Sequence, residues 1–395
     1  MNKTLLVLAA SLNQIPAIEA AKRIGYRTIT TDNIPENPGH VLADSSFGID
    51  TTDVERILAL ARREHVSGVI APGTDVAVVT AAHVSEQLRL LGPPVAAACI
   101  LTQKYQFREF LQRSGFTCPR ALLLNEGQVP DEGLFDGRAW LVKPNRSSGS
   151  KGIFILSTYE EFLAHVAESR AFSLDRTAVL EEFVNGTQHT CEGVLQGGRI
   201  ALALVTDRDT APKPYTTTTG HRVPTRLPAT LQDAALRVIE DGFGRLGIAS
   251  GPFDCDFVVG SKGIVLIEMT PRLGGNSLSS LFKASLDFDL VAYAVAHACA
   301  DPYCIPEHRE PKPTSSVILG VENEGRLAWN AAEADALRQE DWVDTLILDF
   351  PHGTPVKRFI NGRHRVGEAL IVGTDRQDLD SRIAEFQRRL ALTAV

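Results

Sequence analysis

Residues 253–276, FDCDFVVGSKGIVLIEMTPRLGGN, carry the strongest fold signal in the chain. Two apolar runs flank the turn sequence Ser261–Gly263, which predicts a β-hairpin. Asp256 and Glu268 lie on its two strands, among apolar neighbours that indicate burial. Two buried carboxylates that meet across a hairpin repel each other unless a cation lies between them. Mg²⁺ fits such a place, because it prefers hard oxygen ligands and takes few of them from the protein.

The same hairpin also has a plainer interpretation. Asp256 and Glu268 then face solvent at a sheet edge, or pair with Arg272, which follows the glutamate by four residues. If a metal and a phosphate do bind here, Arg272 is placed to neutralise charge on a transferring phosphoryl group. The hairpin alone does not separate these alternatives.

A glycine- and serine-rich stretch, KPNRSSGSKG at residues 143–152, lies between two predicted strands. That context excludes a Walker loop, which joins a strand to a helix. Glycine allows backbone N–H groups to close over phosphate oxygens, and hydroxyls and ammonium groups add donors and charge. The side chains and glycines concerned are Lys143, Ser147, Ser148, Gly149, Ser150, Lys151 and Gly152. A solvated hairpin whose glycines and serines serve only the turn is the alternative.

A third segment, VLEEFVNGTQHT at residues 179–190, begins as an apolar strand and becomes polar at Asn185. Its backbone at Glu182 and Val184 could offer donors and acceptors to an adenine edge while Phe183 packs nearby. A plain strand followed by a turn explains the same pattern.

The N-terminal hundred residues alternate apolar strands with amphipathic helices, which predicts a doubly wound domain with a parallel sheet. Ligands of such sheets gather at the carboxyl ends of the strands, here Ala9–Asn13, Asp32 and Gly73–Asp75. No GxGxxG sequence is present, so a nicotinamide dinucleotide is not favoured. Farther along, a Thr- and Pro-rich loop is expected at residues 206–228, and helices are expected at residues 158–169, 231–247 and 380–391.

Composition restricts the class of protein. With 395 residues, of which 44% are hydrophobic and 22% charged, the chain is expected to fold throughout, as two to four domains. A net charge of −8 argues against a nucleic-acid partner. The six cysteines form no CxxC pair, and no apolar run reaches the roughly 20 residues that cross a bilayer. A cytoplasmic protein without a membrane partner is therefore expected.

In their order, these segments resemble the ATP-grasp superfamily, and within it the carboxylate–amine ligase branch. The resemblance rests on LLVLAASLNQIPAIEAAKRIGY, TQKYQFREFL, VKPNRSSGSKG, EEFVNG, GHRVPTRLP and IEMTPRLGGN, which extend over nearly the whole chain. It implies an α/β (α+β) ATP-grasp fold with a mobile lid and a central antiparallel sheet. The implied divisions are a Rossmann-like domain at residues 1–102, a lid at 103–180, a large subdomain at 181–310 and a C-terminal α/β subdomain at 311–395.

The resemblance also implies roles for individual residues. Phosphates of ATP would be bound by Lys104, Lys143 and the lid residues Ser147, Ser148, Gly149, Ser150 and Gly152. The remaining nucleotide contacts would come from Glu181, Glu182, Phe183, Val184, Gln188 and Arg222. Mg²⁺, with Mn²⁺ as a substitute, would be held by Asp256, Glu268 and Thr270. Catalysis would involve Arg272, Lys143, Asn276 and His221, with Gly275, Asn276 and the Arg222 region on the acceptor side.

Two positions depart from the family pattern. Thr270 stands where the family usually has asparagine, which puts the second metal in doubt, and Gln188 stands where a carboxylate commonly accepts the ribose hydroxyls. Among histidines, His189, His221 and His352 are candidate bases, and His221 is the first to test because it lies in GHRVP, between the Thr-rich loop and the next helix, where an acceptor could approach.

The implied reaction joins a carboxylate to an amine through an acyl phosphate, releasing ADP and phosphate, and amino-acid-like substrates are expected. Two alternatives remain: a carboxyphosphate- or formyl-phosphate-forming enzyme of the carboxylase or purine-pathway type, and an inactive nucleotide-binding regulator. A homodimer is expected from the family alone.

Overall fold

The computed structural model describes residues 3–307 and 309–395. Its N-terminal part alternates strands and helices, as predicted. Four parallel strands lie in the order β3-β2-β1-β4. Pro16 lies in the first turn of its helix, where a missing N–H costs nothing, and Gly25 ends that helix with φ +91°. The elements are β1 Thr4–Leu8, α1 Ile15–Ile24, β2 Arg27–Thr31, α2 Gly39–Leu42, β3 Ser45–Phe47, α3 Val54–Arg63, β4 Gly68–Ile70, α4 Val78–Leu88 and α5 Val95–Leu101.

A small antiparallel sheet follows, and its strands lie in the order β5-β8-β6-β7. Its elements are α6 Lys104–Arg113, β5 Ala121–Leu124, β6 Trp140–Pro144, β7 Phe154–Leu156, α7 Tyr159–Ala171 and β8 Ala178–Glu182. Strands β6 and β7 pair directly, so the prediction that residues 143–152 join two strands is confirmed. Trp140 and Phe162 pack together in the core between this sheet and α7.

The remaining chain builds an eight-stranded antiparallel sheet in the order β13-β12-β9-β10-β11-β14-β18-β16. Its elements and those packed on it are β9 Thr187–Gln196, β10 Arg199–Thr210, β11 Thr218–Val223, α8 Ala229–Arg245, β12 Gly251–Gly260, β13 Gly263–Thr270, α9 Leu278–Leu286, α10 Leu290–Ala298, β14 Thr314–Leu319, β15 Gly325–Ala328, α11 Ala331–Leu337, β16 Val343–Leu348, β17 Pro355–Val356, β18 Gly367–Val372, α12 Arg376–Leu390 and β19 Thr393–Ala394. Strands β15, β17 and β19 form a separate small sheet.

Strand β12 shows how one strand turns apolar side chains toward the core and polar side chains toward a cleft. Successive side chains of a strand point to opposite faces. Phe253 and Cys255 therefore pack against helix α8 in the core, whereas Asp254 and Asp256 project from the other face. Asp254 and Asp256 are thus turned away from α8.

The prediction of a loop at residues 206–228 is wrong in part. Strand β10 continues to Thr210, and β11 occupies Thr218–Val223 in the middle of the large sheet. Polar side chains suggest a loop in this segment, yet threonine is a good strand former when one sheet face lines a polar cleft. No helix in the described part of the chain is long and apolar enough to span a bilayer.

Candidate functional site

A cleft of about 1900 Å³, including its open mouth, lies between the small sheet, the polar face of the large sheet and the N-terminal domain. Asn13, Gly73 and Asp75 line it from the N-terminal side, at the carboxyl ends of β1 and β4. The expectation of a shared crevice is confirmed for Asn13, Gly73 and Asp75, whereas Asp32 is buried, accepts from the Ala10 N–H and does not line the cleft.

Most of the predicted site residues line this one cleft. They are Lys104, Lys143, Ser147, Ser148, Gly149, Ser150, Glu181, Glu182, Phe183, Val184, Gln188, His221, Asp256, Glu268, Arg272 and Asn276. Gly152, Arg222 and Thr270 do not line it, and neither do the candidate bases His189 and His352. Residues separated by up to 172 positions in the sequence thus come together, which places the candidate site at this cleft.

Lys143 belongs to a buried ionic group next to the loop of residues 147–152, the lid loop. Its ammonium lies 2.5 Å from Glu181 Oε1, and Arg108 Nε donates to Glu181 Oε2 at 3.0 Å. Burial lowers the pKa of Lys143 to about 8, against the opposing effect of Glu181. Burial alone would raise the pKa of Glu181, but Arg108 and Lys143 hold that pKa at about 2. Glu181 therefore positions two cations, since both of its oxygens are occupied by them.

Other cations converge on the same cleft from separate parts of the chain. Lys104 Nζ donates to the Ser147 carbonyl at 2.8 Å, which ties the start of α6 to the lid loop. Lys151 has a pKa lowered by burial and then by the positive charges of Arg363 and Lys104. Within the described residues, neither Lys151 nor Arg363 has a carboxylate at ion-pair distance. Such unpaired cations make the upper wall of the cleft suited to a polyanion.

In the segment at residues 179–190, which is predicted to bind adenine, the backbone at Val184 has free hydrogen-bonding groups. The N–H groups of Glu182 and Phe183 already donate to the carbonyls of Arg120 and Ala139, each at 3.0 Å. Val184 makes no backbone hydrogen bond to any described residue. Its N–H and C=O remain available to a ligand edge at this end of the cleft.

Asp256 and Glu268 are direct partners in the register of β12 and β13, as the hairpin predicts. Asp256 already accepts hydrogen bonds from the Thr190 hydroxyl at 2.5 Å and from Arg208 at 2.7 Å. Glu268 keeps 37% of its side chain exposed and lies 3.8 Å from Lys104 Nζ. Asp254, two residues before Asp256, has a buried Oδ1 without a hydrogen-bond partner among the described residues.

This arrangement fits a two-carboxylate magnesium site. Among the described residues, no three His, Cys, Asp or Glu side chains are grouped to hold a metal by themselves. Mg²⁺ needs no such group, because it commonly binds one or two carboxylates and completes its shell with phosphate and water. Burial, and next the charge of Asp256, raise the pKa of Asp254, so negative charge on this face is not fully balanced. Thr270 is buried opposite Asp254, with its hydroxyl unpartnered in the described part of the chain.

Arg272 bridges the N-terminal domain and the large sheet. Its Nε donates to Asp75 Oδ1 at 3.0 Å, its NH1 donates to the Leu273 carbonyl at 2.8 Å, and Asp254 lies 3.8 Å away. Burial alone would lower its pKa, but Asp75 and Asp254 raise it, so the guanidinium stays charged. The side chain is thereby fixed at the cleft wall.

His221 is buried among polar groups of the large sheet. Its Nδ1 lies 3.1 Å from the Thr206 hydroxyl, and its Nε2 has no partner in the described structure. Burial, and then the positive charge of Arg208, lower its pKa to about 3. The imidazole is therefore neutral at physiological pH and, with that pKa, a weak proton acceptor.

Arg222 lies outside the cleft for a geometric reason. It directly follows His221 on β11, and adjacent residues of a strand face opposite sides of the sheet. Its guanidinium binds Asp209 at 2.7 Å and Asp380 of α12 at 2.8 Å. We assign Arg222 no contact with a nucleotide. Gly152 packs the lid against α7, where an added Cβ would lie 2.8 Å from the Phe172 ring.

Sequence reasoning missed several residues that line the cleft, among them Asp254, Arg208, Arg363 and Arg365. Asp254 had a detectable signal, because it shares the strand face of Asp256 at a spacing of two. Arg208 lies within residues 206–228, a segment predicted to be a loop because its side chains are polar. Arg363 and Arg365 carry no local signal, since they reach the cleft only because β18 joins the large sheet.

The comparisons with known proteins agree with this geometry. The ATP-grasp domain family matches residues 138–280. Over 370 residues the chain is 24% identical to carnosine synthase 1 of Gallus gallus, which covers 85% of this chain and 39% of that protein. It is 25% identical over 375 residues to a formate-dependent phosphoribosylglycinamide formyltransferase of Synechococcus sp. (strain CC9902), which covers 90% of this chain and 88% of that one. The chain thus spans about two fifths of the carnosine synthase it matches.

A solved structure extends the likeness to the whole chain. The L-amino acid ligase from Bacillus licheniformis superimposes with a TM-score of 0.81 at 17% identity, covering 100% of this chain and 98% of that one. At this identity the likeness concerns the fold. Together with the ATP-grasp domain matched at residues 138–280, it shows that this chain contains an ATP-grasp domain and has the ATP-grasp fold.

Proposed function

We propose that the chain is an ATP-dependent carboxylate–amine ligase that forms an amide or peptide bond through an acyl phosphate. The observation that supports the proposal is that one cleft is lined both by Asp256 and Glu268 and by the cations Lys104, Lys143 and Lys151. A triphosphate that binds with a divalent cation requires both kinds of charge, carboxylates to hold the metal and cations to contact the phosphates. Mg²⁺ bound to Asp256 and Glu268 would neutralise phosphate charge.

The reaction consists of two displacements. A carboxylate oxygen of the acid bonds to the γ-phosphorus of ATP while the bond from that phosphorus to the bridging oxygen breaks, and ADP leaves with that electron pair. The amine nitrogen then bonds to the acyl carbon. Phosphate leaves with the electron pair of the C–O bond, and the nitrogen loses a proton to solvent.

The residues of the chain contribute position and charge to these steps. Lys143 is fixed by Glu181, and Arg272 is fixed by Asp75, so neither cation must reorganise as charge develops on the phosphoryl group. The lid loop carries positive φ angles at Gly149, Ser150 and Gly152, a shape that turns successive N–H groups toward one side. Its closure would exclude water from the acyl phosphate.

The proposal is tested by trapping the intermediate with hydroxylamine. The purified chain, ATP and Mg²⁺ are incubated with individual amino acids and other small acids, and ADP and hydroxamate are measured. We expect ADP and a hydroxamate of one organic acid in equal amounts, without added bicarbonate.

Other results would identify the alternatives. ADP release that requires bicarbonate or formate would indicate a carboxyphosphate- or formyl-phosphate-forming enzyme, which the similarity to the formyltransferase makes the second candidate. No ADP release with any acid would indicate a nucleotide-binding regulator. Either outcome overturns the ligase proposal.

Arg363 gives a residue-level prediction that arises from this site. The neighbouring Gly362 N–H donates to the Gly149 carbonyl of the lid at 3.0 Å, so the C-terminal segment meets the lid directly. Because the Arg363 guanidinium lacks a carboxylate partner among the described residues, we expect it to contact phosphate when the lid is closed. Replacing Arg363 with glutamine should lower kcat/KM for ATP about 10- to 100-fold, through loss of a charge-assisted contact.

Steady-state ADP release at varied ATP measures this effect. Arg237→Gln, on the exposed side of α8, is the matched control because it removes an equal charge without touching the cleft. Unchanged kcat/KM in Arg363→Gln would exclude the phosphate contact.

A further inference from the structure

A second cavity of about 950 Å³ adjoins the nucleotide cleft. The two cavities share the lining residues Asn13, Gly275, Asn276, Leu278 and Arg365, so they meet along the loop that follows Arg272. A molecule in the second cavity can therefore present one end to a group activated in the first. This continuity makes the second cavity the place for the other substrate.

The walls of this cavity are mostly apolar or uncharged. Aliphatic surface comes from Leu12 and Ile15 on the N-terminal side, Val291 of α10 and Ile347 of β16. Hydroxyl groups come from the loop around Ser277 and the start of α9. Such a lining suits a molecule with a small aliphatic body.

The charged groups of the cavity leave an excess of negative charge. Arg365 Nε lies 2.9 Å from Asp349 Oδ2, and Arg365 NH1 lies 2.8 Å from Glu368 Oε2. One guanidinium is thus shared by two carboxylates, and one negative charge is not compensated. Arg365 is the only Lys or Arg among the described residues that line this cavity.

Glu368 supplies a free acceptor to the cavity. Its Oε2 accepts from Arg365 and from the Ser277 hydroxyl, while its Oε1 makes no hydrogen bond to any described residue. Oε1 is also not among the buried unpartnered atoms, so it is open to a ligand. A carboxylate oxygen with this freedom favours a cationic N–H donor.

We infer that this cavity binds the amine substrate, and that it takes a primary amine that carries no phosphate. The inference rests on the proposed function and narrows it. The ammonium group donates to Glu368 Oε1 and loses one proton to solvent before its nitrogen bonds to the acyl carbon, and the aliphatic part of the amine contacts Ile15, Val291 and Ile347. A phosphorylated amine is disfavoured, because its dianion would meet Asp349 and Glu368 with no cation left to pair with it.

Two variants test the cavity by different means. Glu368→Gln removes the charge and keeps the shape, and we expect it to raise KM for the amine roughly 10-fold or more. Ile347→Trp fills the cavity from a half-exposed position outside the buried core clusters, and it should raise the same KM. Both variants should raise KM for the amine more than KM for ATP, since ATP binds in the neighbouring cleft.

The wild-type chain is also offered amines in matched pairs, ethanolamine with O-phosphoethanolamine and serine with O-phosphoserine, alongside the other amino acids. We expect unphosphorylated amines to accelerate phosphate release from the acyl phosphate and their phosphorylated partners not to do so. Glu324→Gln is the control variant, because this exposed carboxylate makes no hydrogen bond or ion pair to any described residue.

The outcomes separate this inference from the ligase proposal. If hydroxamate forms but both variants keep the wild-type KM for the amine, the cavity is not the amine site and the ligase proposal stands. Preference for a phosphorylated amine, or no use of any amine in the panel, also overturns the inference. Absence of hydroxamate in the wild type overturns the ligase proposal itself.

Discussion

Glu268→Gln is expected to lower the rate of acid-dependent ADP release by about 10²–10³-fold, the usual effect of removing one preorganised group that stabilises developing charge. Glu268 faces Asp256 across the hairpin, and it is partly exposed toward the cleft. Among the described residues no arginine lies at ion-pair distance from Glu268 and Lys104 is 3.8 Å away, whereas Asp256 is paired with Arg208 at 2.7 Å. Glu268 is therefore the carboxylate most available to a metal that accompanies ATP.

The measurement is ADP release at saturating ATP over a range of Mg²⁺ concentrations. For Glu268→Gln, we expect the Mg²⁺ concentration that gives half-maximal rate to rise together with the loss of kcat. Asp256→Asn should show the same kind of defect, and it should also release Arg208 from its partner.

A matched control lies on the same sheet. Asp344 is an exposed carboxylate of the edge strand β16, far from β13 in the strand order, and Asp344→Asn should leave both quantities unchanged. If Glu268→Gln kept the wild-type rate and Mg²⁺ dependence, the hairpin carboxylates would not form the metal site, and the plainer interpretation of the hairpin would be correct.

Glu181→Gln is expected to lower the free energy of unfolding by about 3–5 kcal/mol, as found when one partner of a buried ion pair is removed. Glu181, Lys143 and Arg108 are all nearly inaccessible to solvent, with side-chain exposures of 3–5%. The neutral amide would leave two buried cations without a counter-charge. Arg108 would keep its bonds to the carbonyls of Leu266 and Ile267, which limits the loss.

Chemical denaturation at pH 7 measures this difference. The neighbouring Glu182→Gln is the control, because Glu182 lies on the more exposed side of the same strand and its ion pairs are longer, at 3.5 and 3.8 Å. Equal losses in the two variants would contradict the buried-pair explanation.

The pH dependence follows from the pKa of Glu181. Its folded value of about 2 lies below its ordinary value of 4.5, so the folded state favours the ionised form. The stability that Glu181 contributes is therefore complete above about pH 4.5 and is lost as the pH falls toward 2. We expect the gap between the wild type and Glu181→Gln to narrow over that range, and a constant gap would contradict this assignment.

Local sequence is sufficient to predict the separate pieces of this protein. The β-hairpin of residues 253–276, the strand pair around residues 143–152 and the parallel N-terminal sheet each follow from periodicity and turn residues within a few dozen positions. The positions of Asp256 and Glu268 on either side of the turn predict that they are cross-strand partners, as they prove to be. These features can be predicted because the interactions that produce them are short in sequence.

The cations that face those carboxylates, and the cavity proposed for the second substrate, are set by long-range packing instead. His221 and Arg222 are both predicted at the site, yet a strand turns adjacent side chains to opposite faces, and only His221 lines the cleft. Arg363 and Arg365 reach the two cavities because β18 pairs with β14 and β16, about 50 and 20 residues earlier in the chain. Local sequence does not encode such pairing, since it depends on burying the apolar faces of distant elements together.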